Sequence, residues 1–144
     1  MIRRHALWTL AAAVLLGACS TPAPTPPPAP IVFVHGNGDT AALWTTTLWR
    51  FESNGWPRDR LHAVDVPYPP ARDEDNVPQP GRSSSTEQAQ FLSAEVDKVL
   101  ARTGAKQVVL VGNSRGGNTI RNYVQNHGGA SKVSTAVLGG TPSH

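Results

Sequence analysis

The sequence predicts an α/β domain: a parallel sheet with flanking helices, made of four strands and three main helices. Three observations carry this. Short apolar runs closed by glycine or proline alternate with stretches of helical periodicity from Ile31 onward. The runs are apolar at consecutive positions, as suits strands buried on both faces. The order strand, helix, strand, helix, strand, helix, strand then calls for parallel pairing through right-handed crossovers.

Residues 1–18 precede the domain and read as a signal peptide. Arg3 and Arg4 give a basic start, an apolar run spans Ala6 to Leu16, and small residues lead to Cys19. Leu16-Gly17-Ala18-Cys19 resembles the bacterial lipobox, in which cleavage leaves the cysteine as a lipid-modified N-terminus. The alternative is a plain secretory signal with an incidental cysteine. Cys19 is the only cysteine, so it has no disulfide partner within the chain. Ser20 after it resembles the type sorted to the outer membrane. Residues 19–30 hold the sequence TPAPTPPPAP, whose prolines favour a polyproline II rod, a tether holding the domain roughly 30 Å from its anchor.

The domain proper covers residues 31–144. IVFVHG is the first strand, and Asp39 or Thr40 caps a helix whose Trp44, Leu48 and Phe51 recur at helical spacing before Gly55 stops it. RLHAVDVP is a second strand ending at Pro67. Residues 86–103 form the clearest helix, with Ser85 and Gln88 as its capping box and Leu92, Val96, Val99 and Leu100 as its apolar face. Gly104 stops it. QVVLVG is the third strand, residues 115–127 a third helix ending at Gly128, and KVSTAVLGG the fourth strand. One connection, residues 67–85, is far longer than usual. Loops after parallel strands lie at the ligand-binding edge, so this one is expected to wall or cover a site. Its Arg72-Asp73-Glu74-Asp75 run reads as solvated charge; no metal and no cofactor are expected.

Removing Arg3 and Arg4 with the signal leaves 11 basic and 10 acidic residues, without a basic stripe interleaved with aromatics. Nucleic acid is therefore not an expected partner.

The chemistry concentrates at Gly112-Asn113-Ser114-Arg115-Gly116, followed by Gly117. This is G-x-S-x-G between an apolar strand and a helix, the context in which a sharp turn pushes a serine Oγ clear of the sheet. Glycines flank it because the chains pass too closely for a Cβ, and the helix start supplies free N–H groups and positive dipole. A tight structural turn or a phosphate-binding helix start is the plainer alternative, although no P-loop or dinucleotide glycine spacing is present.

VFVHGNGD at the end of the first strand resembles the HG oxyanion loop of α/β-hydrolases. With NGWPRDRLHAVDVP, TGAKQVVLVGNSRGG and the closing LGGTPSH, the chain from 31 to 144 resembles the small bacterial class 2 lipases. The resemblance implies the N-terminal portion of an α/β-hydrolase fold and a serine hydrolase acting on carboxylic esters or lipids. Ser114 is then the nucleophile, and the backbone N–H groups of Asn37 and Arg115 form the oxyanion hole. Gly36, Gly112, Gly116 and Gly117 shape the loop and elbow, while His35 buttresses the loop. Arg115 stands where such lipases more often carry Met or Gln, so a long cation there is expected to favour an anionic or polar substrate.

Such a serine needs a histidine base oriented by an acid, in the order Ser, acid, His. No Asp or Glu follows Ser114, and the later histidines are His127 and His144. His127 lies at the far end of the helix that Ser114 opens, roughly 18 Å away; His144 resembles a loop-supporting histidine of the family. His62 sits early in its strand, near the wrong edge. Family members continue through two more strands carrying the acid and base. The chain therefore reads as a partial domain, inactive by itself. The second function class is a non-catalytic envelope lipoprotein that keeps a hydrolase scaffold for binding.

Overall fold

A computed structural model describes residues 25–141. The signal peptide, Cys19, the start of the tether and His144 lie outside the described residues. Four parallel strands, β1 (Ile31–Val34), β2 (Leu61–Val64), β3 (Val108–Asn113) and β4 (Val133–Gly139), form one sheet in the order β2-β1-β3-β4. Three α-helices connect them: α1 (Thr45–Ser53), α2 (Ser85–Thr103) and α3 (Arg115–Asn126). The expected fold class holds.

β1 is wholly buried, and its side chains divide the core. Ile31 and Phe33 face α1, where Leu48, Leu61, Trp44, Phe51 and Trp56 pack around them. Val32 and Val34 face α2 and α3, with Leu92, Val96, Val99, Leu110, Ile120 and Tyr123. Helices on both faces are what a strand without polar alternation requires.

The element boundaries follow local chemistry. Thr40 Oγ1 accepts from Ala42 N at 3.3 Å, capping a 3₁₀ turn at Ala41–Trp44 that runs into α1. Gly104 stops α2 at a φ of 68°. The capping box of α2 lies one residue before the expected pair. Ser84 Oγ accepts from Glu87 N at 3.1 Å and the Glu87 carboxylate accepts from Ser84 N at 2.7 Å. Ser85, already helical, instead donates its backbone N–H to Asp75 Oδ1 at 2.7 Å, so it cannot serve as the cap.

From β1 the chain steps to β2 on one side, then crosses back to β3 on the other side of β1. Connections after β1 and β3 thus diverge at their carboxyl ends, and a crevice opens between them.

Candidate active site

The crevice is where the two sequence motifs meet. Val34 pairs with Gly112, so β1 and β3 end level and their following turns are side by side. A Cβ at Gly36 would lie 3.1 Å from Ser114 Cβ and 3.6 Å from Ser114 Oγ, which puts the glycine loop directly against the serine.

Ser114 adopts φ 53° and ψ −123°, one of two non-glycine residues at positive φ among those described. Its backbone is held on both sides. Its N–H donates to Gly139 O at 2.8 Å, and its carbonyl accepts from Gly117 N at 3.0 Å and Thr141 Oγ1 at 3.1 Å. No hydrogen bond among the described residues engages its hydroxyl, which is half-exposed at the crevice. Over-determination of this kind is what keeps a strained residue in place.

The flanking glycines make the turn possible by close approach. A Cβ at Gly112 would meet Gly117 N at 2.8 Å and Ile120 Cδ1 at 2.6 Å. At Gly116 it would run into the Val34 and His35 carbonyls, and at Gly117 into Thr141. The first turn of α3 therefore lies on the end of β1. The Asn37 and Arg115 backbone N–H groups take no partner among the described residues, and Arg115 is the first residue of α3.

His35 is buried with both ring nitrogens occupied: Nε2 accepts from Val66 N at 3.0 Å, and Nδ1 lies 3.0 Å from Gly36 O. It ties the end of β1 to the end of β2 and is a buttress, with no nitrogen left for proton transfer. His62 pairs with Val32 near the start of β2, and His127 is the C-cap of α3. Neither reaches the serine.

Arg115 departs from expectation. Its guanidinium does not face the crevice as a substrate-facing cation. Nη1 donates to Pro69 O at 2.8 Å and Nη2 to Ser83 O at 2.6 Å, both in the 67–85 connection. Burial pulls its pKa down, with Asp75 pulling it back up. The two carbonyls take up the fork of the guanidinium and turn its charge toward the connection. Asn37 does the same from the other turn: its Oδ1 accepts from Ala71 N at 2.6 Å.

A buried polar network, which the sequence reading missed, extends this attachment. Thr119 Oγ1 donates to Gln88 Oε1 at 2.8 Å, Gln88 Nε2 donates to Ser83 Oγ at 3.0 Å, and Ser83 Oγ donates to Tyr68 O at 2.7 Å. Its only sequence signal is a glutamine four residues before Leu92, on the apolar face of α2. In the acidic run, Asp73 pairs with Arg82 at 3.6 Å and Asp75 accepts from Ser85 N, while Arg72 reaches out of the connection to Glu87 of α2 at 2.8 Å. Behind the connection lies a hollow of about 540 Å³, lined by Val66, Tyr68, Arg72, Gln79, Ser83 and Phe91 among others. Ser114, Gly36 and Asn37 are not part of its wall.

A parallel sheet with a strained strand-to-helix serine at its switch point defines a class of fold, and comparison with known proteins gives the family. The α/β hydrolase fold family matches residues 29–144, and the chain belongs to it. Among solved structures, the mature lipase BlEst2 of Bacillus licheniformis superposes with a TM-score of 0.61 at 24% identity, covering 85% of this chain and 44% of that one. An esterase from Exiguobacterium antarcticum gives 0.56 at 21% identity, covering 81% and 39%. A monoacylglycerol lipase from Paleococcus ferrophilus gives 0.56 at 18%, covering 78% and 40%. The chain thus spans less than half the length of each of these structures, and the likeness is one of fold.

Proposed function

We propose that this chain carries the nucleophile and oxyanion hole of a serine hydrolase acting on carboxylic esters, resembling the small class 2 bacterial lipases. One observation carries the reading: a serine held at positive φ on a strand-to-helix turn, with Gly36 so close across the switch point that a Cβ there would lie 3.1 Å from the Ser114 Cβ. A tight turn alone needs no such partner loop. The names of the structural neighbours, lipases and an esterase, support an ester substrate.

In this reading Ser114 Oγ attacks the ester carbonyl carbon while its proton passes to a histidine base. The carbonyl oxygen takes up the negative charge and is received by the Asn37 and Arg115 N–H groups, assisted by the start of α3. Collapse expels the alcohol, which takes the proton back from the histidine, and water then hydrolyses the acyl-serine by the same path. Since His35, His62 and His127 are all unsuited, the base in this reading comes from outside residues 25–141. A polypeptide of the described residues alone then turns over negligibly, because losing the base costs on the order of a millionfold.

The domain is anchored at the bacterial cell envelope, on the outer membrane, through lipid on Cys19 once residues 1–18 are removed. Incorporation of labelled palmitate, lost in Cys19→Ala, checks this; incorporation that persists in the variant refutes it.

The lack of a suitable base among the described residues favours a second reading, a non-catalytic lipoprotein that binds through a hydrolase scaffold. A fluorophosphonate probe on the protein expressed from its complete reading frame decides between them. The hydrolase reading expects covalent labelling that disappears in Ser114→Ala. No labelling of the unmodified protein favours the binding reading.

A further inference from the structure

We propose that the side chains of Asn37 and Arg115 are positioning residues that couple the 67–85 connection to the oxyanion hole. The inference rests on the hydrolase reading above and deepens it. Each residue is divided between two tasks. Its backbone N–H belongs to the hole, and its side chain grips the connection: Asn37 Oδ1 at Ala71 N, 2.6 Å, and the Arg115 guanidinium at Pro69 O and Ser83 O, 2.8 and 2.6 Å.

The two grips close a ring. It runs from the turn after β1, through Ala71 to the Ala71–Ser83 bridge, and through Arg115 back to the elbow. Ser83 is 3% exposed and Gln88 4%, so the ring is backed by the buried Thr119–Gln88–Ser83 chain rather than by solvent. Hydrogen bonds from a charged donor to buried carbonyls are stronger than neutral ones. The connection is consequently a fixed wall, and its placement is the placement of the two hole donors. A substrate that presses on residues 69–71 acts on the hole through Asn37 and Arg115. Arginine suits position 115 because its planar fork reaches the Pro69 and Ser83 carbonyls at once.

Positioning of transition-state donors has a kinetic signature that general loosening of a loop lacks. Arg115→Met keeps the backbone N–H and removes the grip. In the protein expressed from its complete reading frame, kcat on a soluble aryl ester is expected to fall about tenfold with KM within about twofold, less than the loss from deleting a donor outright. Asn37→Ala gives a loss of the same kind, and Arg115→Lys, which holds one carbonyl, falls between. Hydrogen exchange supplies a readout that needs no activity: Arg115→Met speeds exchange in residues 67–85 and also in residues 36–39, across the ring. An unchanged kcat in Arg115→Met, or faster exchange confined to residues 67–85, overturns the coupling. Absence of Ser114-dependent turnover in the unmodified protein defeats the ester-hydrolase reading instead. Exchange at residues 36–39 then decides the coupling by itself.

Discussion

Ser114 pays for its position with backbone strain. At φ 53° and ψ −123° it occupies a region that only glycine adopts freely, and its hydroxyl gains no hydrogen bond among the described residues. Strain of this type costs on the order of 1–3 kcal/mol. Ser114→Gly is therefore expected to stabilise the fold by about 1 kcal/mol, after glycine's greater freedom in the unfolded chain is set against the relief. Ser114→Ala keeps the Cβ and the strain, so it should leave stability nearly unchanged. Urea unfolding of the two variants measures the difference; equal midpoints would mean that the backbone is not strained there. That the serine is special was legible from Gly112 to Gly117, because close backbone approach leaves glycine as its record. What Arg115 does was not legible. Its partners are backbone carbonyls of Pro69 and Ser83, which carry no residue-specific signal, and they lie 46 and 32 residues away.

At the scale of elements, strand and helix order could be read because burial on both faces imposes consecutive apolar residues on β1 and a regular stripe on α2. α2 starts one position earlier than its sequence pattern indicates, since Ser84-x-x-Glu87 and Ser85-x-x-Gln88 both fit a capping box until Asp75 takes the Ser85 N–H. The observed box makes a clear expectation. Ser84→Ala should cost about 1 kcal/mol of stability, while Ser85→Ala costs a few tenths. The reverse ranking in chemical denaturation would make Ser85 the cap. β2 carries a pH dependence. Burial lowers the pKa of His62 below its ordinary value of 6.5, and Arg102 and Arg58 lower it further against the opposing pull of Asp59. Between the lowered value and 6.5 the unfolded chain binds the proton that the folded chain does not, so folding stability falls as pH drops through 6.5 and levels off below the folded value. Unfolding midpoints measured across this window should slope downward on acidification, and His62→Gln should flatten the slope. An equal slope in the variant would place the proton uptake elsewhere.

At the scale of the whole molecule, the order β2-β1-β3-β4 leaves β4 at an edge, and its side chains are far less covered than those of β1 or β3. Val137 pairs with Val111 in the face toward α1, yet it is 52% exposed and borders a hollow of about 370 Å³ that Leu43, Trp44 and Thr47 also line. On the other face Leu138 packs against the main core, so β4 is anchored there while its α1-side face and outer edge stay open. An unpaired edge with an apolar residue facing solvent is a template for pairing with another chain. A polypeptide of residues 25–144 prepared alone is therefore expected to self-associate at concentrations on the order of 100 µM. Val137→Lys places a charge on the open face and should return it toward monomer in sedimentation velocity runs, without lowering the unfolding midpoint by more than about 0.5 kcal/mol in stability terms. A wild-type polypeptide that stays monomeric across that range would show the edge to be protected. Association unaffected by Val137→Lys would move the contact to another surface, with the exposed Trp49 on α1 the next to test.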